Sequence, residues 1–210
     1  MKQTLLLSTL LLSLTACQNT NTSILDKNDT LPAKPSITVE ADHTTSNTSG
    51  NYNKSFHYAD FSARVVSTPD GKGGYNLKIQ PMGEDMIEKS IDDPVVSAAV
   101  GDLNKDGFYE ILVFTQSVGS GSYGDVIAYS SNKGMSWSEV FHPELTDKLK
   151  QGYMGHDQFA LVENVLVRQF PLYLEGDINA NPQGKIRQIQ YDMKDGEASR
   201  QFVVNEVSEF

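Results

Sequence analysis

The stretch Tyr109-Glu-Ile-Leu-Val-Phe-Thr115, then Ser117-Val-Gly-Ser-Gly-Ser-Tyr-Gly124, then Asp125-Val-Ile-Ala-Tyr-Ser130 decides how this chain folds. Ile111 to Phe114 is a continuous apolar run, as a central strand buried on both faces requires. Gly119, Gly121 and Gly124 permit backbone angles closed to other residues, so the connection turns tightly and can approach another molecule closely. Ser120, Ser122 and Tyr123 are the side chains that the tip offers. A strand-flanked Gly/Ser loop is in itself an ordinary flexible hairpin. The tyrosine changes its meaning, because aromatic groups of this kind anchor protein partners.

The signals on either side are mostly strand. Phe56 to Val66 alternates in part, and Pro69-Asp-Gly-Lys-Gly-Gly74 turns the chain into Tyr75–Gln80, whose Tyr75, Leu77 and Ile79 share a face. Val95–Leu103 and Tyr109–Phe114 bracket the turn Asn104-Lys-Asp-Gly107 as a second hairpin. Ser136–Phe141, Phe159–Tyr173 (broken by Pro171), Lys185–Met193 and Phe202–Val207 follow. In Lys185–Met193 a local irregularity lets Ile186, Ile189 and Tyr191 point inward. Pro143 to Lys150 is a short helix candidate, with proline in the first turn, Glu144 near the start and Gly152 beyond the end. Eight or nine strands with one or two short helices predict a mostly-β fold, an antiparallel β-sandwich.

The N-terminal residues carry a different message. Lys2, the apolar run Leu5–Leu14 and Thr15-Ala-Cys17 form a secretory signal, and Leu14-Thr-Ala-Cys17 resembles the bacterial lipobox. The resemblance implies cleavage after residue 16, lipidation of Cys17 and, with Gln18 rather than Asp next, transfer to the outer membrane. Cys17 is the only cysteine, so no intramolecular disulfide is possible. Residues 18–54 hold 17 Asn, Thr and Ser among 37, a composition that cannot bury enough apolar surface to offset ordering entropy. Residues 17–54 are therefore expected to be the lipidated cysteine and a disordered polar tether, and 55–210 the folded domain. Loss of residues 1–16 removes Lys2 and takes the formal charge from −10 to −11. Such acidity argues against nucleic acid and favours a basic partner.

The run Asp102-Leu-Asn-Lys-Asp-Gly107, the apolar strand and Ser120–Asn132 (SGSYGDVIAYSSN) resemble the periplasmic inhibitors of invertebrate-type (i-type) lysozyme. Gly155–Tyr173 (GHDQFALVENVLVRQFPLY) and Lys185–Met193 (KIRQIQYDM) resemble the same family. The resemblance spans roughly Phe56 to Phe210. It implies a non-enzymatic protein whose Ser-Gly-x-Tyr loop, here Ser120, Gly121, Ser122 and Tyr123, enters the active-site cleft of an i-type lysozyme and protects the cell wall from it. It also suggests a homodimer. The polar tether and lipid anchor depart from soluble periplasmic members. A glycan- or peptidoglycan-binding lipoprotein module that uses Tyr123 as a stacking platform is the alternative, and a hydrolase is a third.

No cofactor is expected. Asp102-x-Asn104-x-Asp106-Gly107-x-x-Glu110 resembles calcium-loop spacing. Val113 stands where an EF-hand has its last acid, whereas integrin-type propeller loops place an acid where Glu110 falls. A calcium loop and a plain hairpin turn with solvated carboxylates both stay open, and no metal site is assigned. Ser130-x-Asn132-x-Gly134-x-Ser136-Trp137 looks like an Asp-box, a structural hairpin. His43, His57, His142 and His156 show no metal-ligand spacing. His156-Asp157 could be half of a catalytic pair but lacks a Gly-x-Ser-x-Gly elbow or a reactive cysteine. Arg168, Arg187 and Arg200, isolated among strand residues, are expected on solvated faces or in ion pairs.

Overall fold

The computed structural model describes residues 50–58 and 60–210. The expected signal peptide (1–16), Cys17 and the tether up to residue 49 lie outside the described residues. Three four-stranded antiparallel sheets follow one another along the chain, and in each the strands lie side by side in sequence order. The first holds β1 (Tyr52–His57), β2 (Ser62–Pro69), β3 (Tyr75–Pro81) and β4 (Ile87–Ile91). The second holds β5 (Val95–Gly101), β6 (Glu110–Gln116), β7 (Gly124–Ser131) and β8 (Trp137–Val140). The third holds β9 (Gln158–Val162), β10 (Val165–Pro171), β11 (Ile186–Asp195) and β12 (Arg200–Glu209). β1 takes up the last three residues of the expected tether, and Tyr52 is buried in the core.

The apolar run of β6 explains the layering. Successive residues of a strand point to opposite faces. Ile111 and Val113 join one core with Val65, Leu77 and Ile79 of the first sheet. Leu112 and Phe114 join a second core with Leu166, Phe170, Ile189 and Phe202 of the third. The second sheet is thus covered on both faces, and the expected sandwich is built twice around one shared layer. Stacking whole four-stranded meanders face to face is also how propeller blades pack.

The fold is mostly β, with no helix among the described residues. The helix expected over 143–150 is instead a turn. The Lys150 amide donates to the Thr146 carbonyl at 2.8 Å. The Leu149 and Gln151 carbonyls accept from Arg187 Nη1 at 2.8 and 3.1 Å rather than from a continuing helix. Leu145 is buried in the second core and Leu149 packs against it. Propensity for one helical turn loses to these tertiary contacts.

Other boundaries shift for equally local reasons. Phe56–Val66 is two strands, separated where the Tyr58 amide donates to the Phe61 carbonyl at 2.7 Å. Phe159–Tyr173 is a hairpin whose turn residues Glu163 and Asn164 have φ of 49° and 63°, the geometry that a two-residue hairpin turn needs. The irregularity expected in Lys185–Met193 lies across the ladder, where Asn205 of β12 is skipped between the pairs Gln190–Glu206 and Tyr191–Val204. β11 itself alternates without a break. Arg187, Ile189, Tyr191 and Met193 point inward, whereas Ile186 lies on the other face.

Glu110, at the start of β6, is fully buried. Its carboxylate accepts from the Ser130 hydroxyl at 2.6 Å and the Leu103 amide at 2.8 Å. Burial raises its pKa above the ordinary 4.5, although both hydrogen bonds pull the other way. The native state therefore holds this proton more tightly than the unfolded chain. The stability it confers is full below pH 4.5 and is lost as pH rises through the elevated value. Glu110→Gln keeps an acceptor for the Leu103 amide and a polar group beside the Ser130 hydroxyl but cannot titrate. In urea melts from pH 4 to 7, the parent should lose stability relative to Glu110→Gln as pH rises, and a constant difference would contradict this assignment.

Candidate functional site

The loop between β6 and β7 is closed at its neck by two bonds between the same residues. The Ser117 amide donates to the Tyr123 carbonyl at 2.7 Å, and the Tyr123 amide donates to Ser117 Oγ at 2.8 Å. Inside the neck, Ser122 adopts a left-handed φ of 42°, and its amide and hydroxyl both donate to the Gly119 carbonyl at 3.3 Å. Ser122 therefore shapes the turn and has its hydroxyl engaged. The Ser120 and Tyr123 hydroxyls make no hydrogen bond within the described residues, and both residues are exposed. Of the four residues expected at the site, these two face outward with unused polar groups.

Two other segments hold the loop from behind. The His156 amide donates to the Gly121 carbonyl at 2.6 Å. The Asn179 side-chain amide donates to the Ser120 carbonyl. The contact with Gly155 is tight enough that a Cβ there would collide with the Gly121 carbonyl oxygen, and Gly155 has a φ of 92° besides. A Cβ on Gly121 would in turn collide with the Tyr123 ring. Gly121 is therefore needed for the ring to lie over the loop. That ring meets Tyr153 edge-on at 5.8 Å between centroids and is still 51% exposed. Its face is presented rather than free to wander.

Beneath the loop lies a buried ion pair. Asp157 Oδ1 accepts from Arg168 Nε at 2.7 Å, with the two side chains 0% and 7% exposed. The other oxygen, Oδ2, accepts from the Gly124 amide at 2.9 Å and from the Tyr153 hydroxyl at 2.5 Å. Arg168 also donates from Nη2 to that hydroxyl at 3.0 Å, and its guanidinium lies over the Tyr153, Phe159 and Phe170 rings at 5.1–5.5 Å. Burial works to lower the Arg168 pKa, but the Asp157 carboxylate more than offsets it and the net shift is upward. Burial and the Asp157 carboxylate both push the Tyr153 phenol well above its usual range. Asp157, Arg168 and Tyr153 are thus bonded to one another and to the loop base. The cluster anchors the base of the loop.

His156 and Asp157 are not bonded to each other: the aspartate is committed to Arg168 and the loop base, and His156 Nε2 lies 3.2 Å from Asn179 Oδ1. Sequence reasoning missed Tyr153, Gly155, Asp157, Arg168 and Asn179 as members of this site. One signal was available: a charge inside the apolar run Val165–Phe170 must find a partner when buried. In the turn Asp102–Glu110, the carboxylates serve as backbone acceptors. Asp102 takes the Asp106 and Gly107 amides at 3.0 Å, and Asp106 takes the Phe108 amide at 2.9 Å. Among the described residues no group of three or more His, Cys, Asp or Glu is placed to hold a metal ion. Asn132 stitches the Ser130–Trp137 hairpin, donating to Ser136 and Ser138 at 3.0 and 2.9 Å. Cys17 lies outside the described residues. Comparison with protein-family models, curated proteins and solved structures finds no match to this chain.

Asp157→Ala strands a buried guanidinium and should cost about 3–5 kcal/mol in chemical denaturation. Asp157→Leu combined with Arg168→Met should recover most of that loss, because no buried charge is left alone. A double variant as unstable as the single one would show that the pair is not what holds this region.

Proposed function

We propose that the chain is a protein inhibitor of i-type lysozyme, anchored by lipid on Cys17 in the periplasm and acting through Ser120, Gly121, Ser122 and Tyr123. The observation that carries this reading is the pair of unused hydroxyls, Ser120 and Tyr123, at the tip of a loop braced from three sides. A lysozyme cleaves between two carboxyl groups, one protonated and one ionised. A hydroxyl donates to the ionised form and accepts from the protonated form, so Ser120 and Tyr123 can each engage one of the pair. In a cleft emptied of water such bonds are strong. The tyrosine ring adds apolar contact where a sugar ring would lie. The loop offers no glycosidic bond, so the cleft is occupied and nothing is cleaved.

The braces matter to affinity. A loop already held in one conformation loses little entropy on binding. The formal charge of −10 steers a basic enzyme toward the domain and raises the encounter rate more than the final affinity. A tether of the expected length spans about 33 Å root-mean-square as a flexible coil, enough to keep an anchored domain clear of the bilayer.

Purified protein should inhibit an i-type lysozyme and spare chicken-type and goose-type enzymes. Tyr123→Ala should weaken inhibition by about 2 kcal/mol, near 30-fold, and Ser120→Ala should weaken it as well. If both variants inhibit like the parent, the proposal fails. Binding to peptidoglycan with no effect on any lysozyme would point to the glycan-binding alternative.

A further inference from the structure

The two segments that brace the loop from outside also carry exposed apolar side chains beside it. Met154, 41% exposed, lies between Tyr153 and Gly155, both of which meet the Tyr123 ring. Ile178, 67% exposed, precedes Asn179, whose side chain holds the Ser120 carbonyl. The segment carrying Ile178 is itself fixed. Asp177 Oδ2 accepts from the Leu174 amide at 2.8 Å and the Gln183 amide at 2.9 Å, the Asn181 amide donates to the Ile178 carbonyl at 2.9 Å, and Tyr173 Oη donates to the Asn179 carbonyl at 2.8 Å. Holding an isoleucine out in water at the tip of a pinned loop contributes nothing to folding, since no apolar surface is buried by it. Met154 and Ile178 are thus exposed on two segments that touch the loop bearing the exposed Val118 and Tyr123.

We infer that the exposed residues of 117–124, 153–156 and 174–183 form one composite contact surface, in which Ile178 and Met154 bind the rim of the same lysozyme cleft that the loop enters. This rests on the inhibitor reading above and extends it to residues outside the loop. Area decides for the composite. A specific protein interface takes about 20–30 residues from each side. The eight residues of the loop fall well short of that, and the three segments together reach it. Charge selects the occupant: the chain is strongly acidic, and Glu175 is exposed within the third segment, which suits a basic protein with an apolar cleft margin. An apolar centre with a polar edge is the usual anatomy of such an interface.

The full chain is tested as parent, Tyr123→Ala, Ile178→Asp and Met154→Asp, reading the inhibition constant against an i-type lysozyme and the melting temperature. Ile178→Asp and Met154→Asp should each raise the inhibition constant at least about 10-fold with the melting temperature unchanged. In the parent, lysozyme should also protect backbone amides 174–181 and 183 from hydrogen exchange. That measurement decides the matter if either aspartate variant proves unstable. If Tyr123→Ala loses inhibition while Ile178→Asp and Met154→Asp do not, the composite surface is overturned and the loop reading stands. Unchanged inhibition combined with weakened self-association would assign the patch to a second copy of this chain, again overturning it. If the parent does not inhibit, both readings fall together.

Discussion

The structure around the site depends on one buried ion pair, Asp157 with Arg168, placed where the third sheet meets the base of the loop on the second. Desolvating two charges is expensive, and such pairs add little net stability compared with apolar residues of similar size. What this one contributes is position. Arg168 uses one side of Asp157, leaving the other oxygen for the Gly124 amide and the Tyr153 hydroxyl. The loop base, the ring beneath Tyr123 and strand β10 are thereby fixed to one carboxylate. Two sheets that share only an apolar interface could slide. Directional bonds through a common acceptor set their register.

The opposite end of the middle sheet is tied in a similar manner. Arg200 of β12 donates from Nη1 to the Ser130 hydroxyl at 2.7 Å and to the Ser131 carbonyl at 3.0 Å, and the same serine hydroxyl donates to the buried Glu110. Backbone bonds from the Phe141 amide to the Arg200 carbonyl and from the Phe202 amide to the Phe141 carbonyl, both within 3 Å, join the sheets alongside. Two arginines of the third sheet, Arg200 directly and Arg168 through Asp157, therefore tie down the second sheet at its two ends, with the apolar run Ile111–Phe114 between them. The strand that carries the loop is held along its length, which lets the loop be short, rich in glycine and still ordered.

Much of this was legible in the sequence where the signal is local. The run Ile111–Phe114 announced a strand covered on both faces, and Gly119, Gly121 and Gly124 with Tyr123 announced a tight turn bearing an aromatic. Signals that depend on distant partners were not legible. β4 (IEKSI) has only two apolar residues, and its place is set by pairing with β3 rather than by its own pattern. The turn at Pro143–Lys150 carried helix signals that Arg187, about forty residues later, overrides by taking the carbonyls. In the ladder of β11, Arg187 points inward where Ile186 was expected, because an arginine satisfied by Glu209 at 2.6 Å and by those carbonyls can be buried. At the site, Ser120 and Tyr123 were visible as exposed loop residues, whereas Gly155 and Asn179 carry no motif and matter only through what they touch.

The central claim is that the Ser117–Gly124 loop is preformed on its buried anchor before any partner arrives. Amide hydrogen exchange of the free protein tests it most directly at Tyr123 and Gly124, whose amides donate to Ser117 Oγ and Asp157 Oδ2. A preformed loop predicts that both amides are protected far beyond the rate of an open loop, at a level approaching that of β6 and β7. Exchange at the unprotected rate, with β6 and β7 still protected, would mean that the loop opens independently of the sheet, and the account would be contradicted.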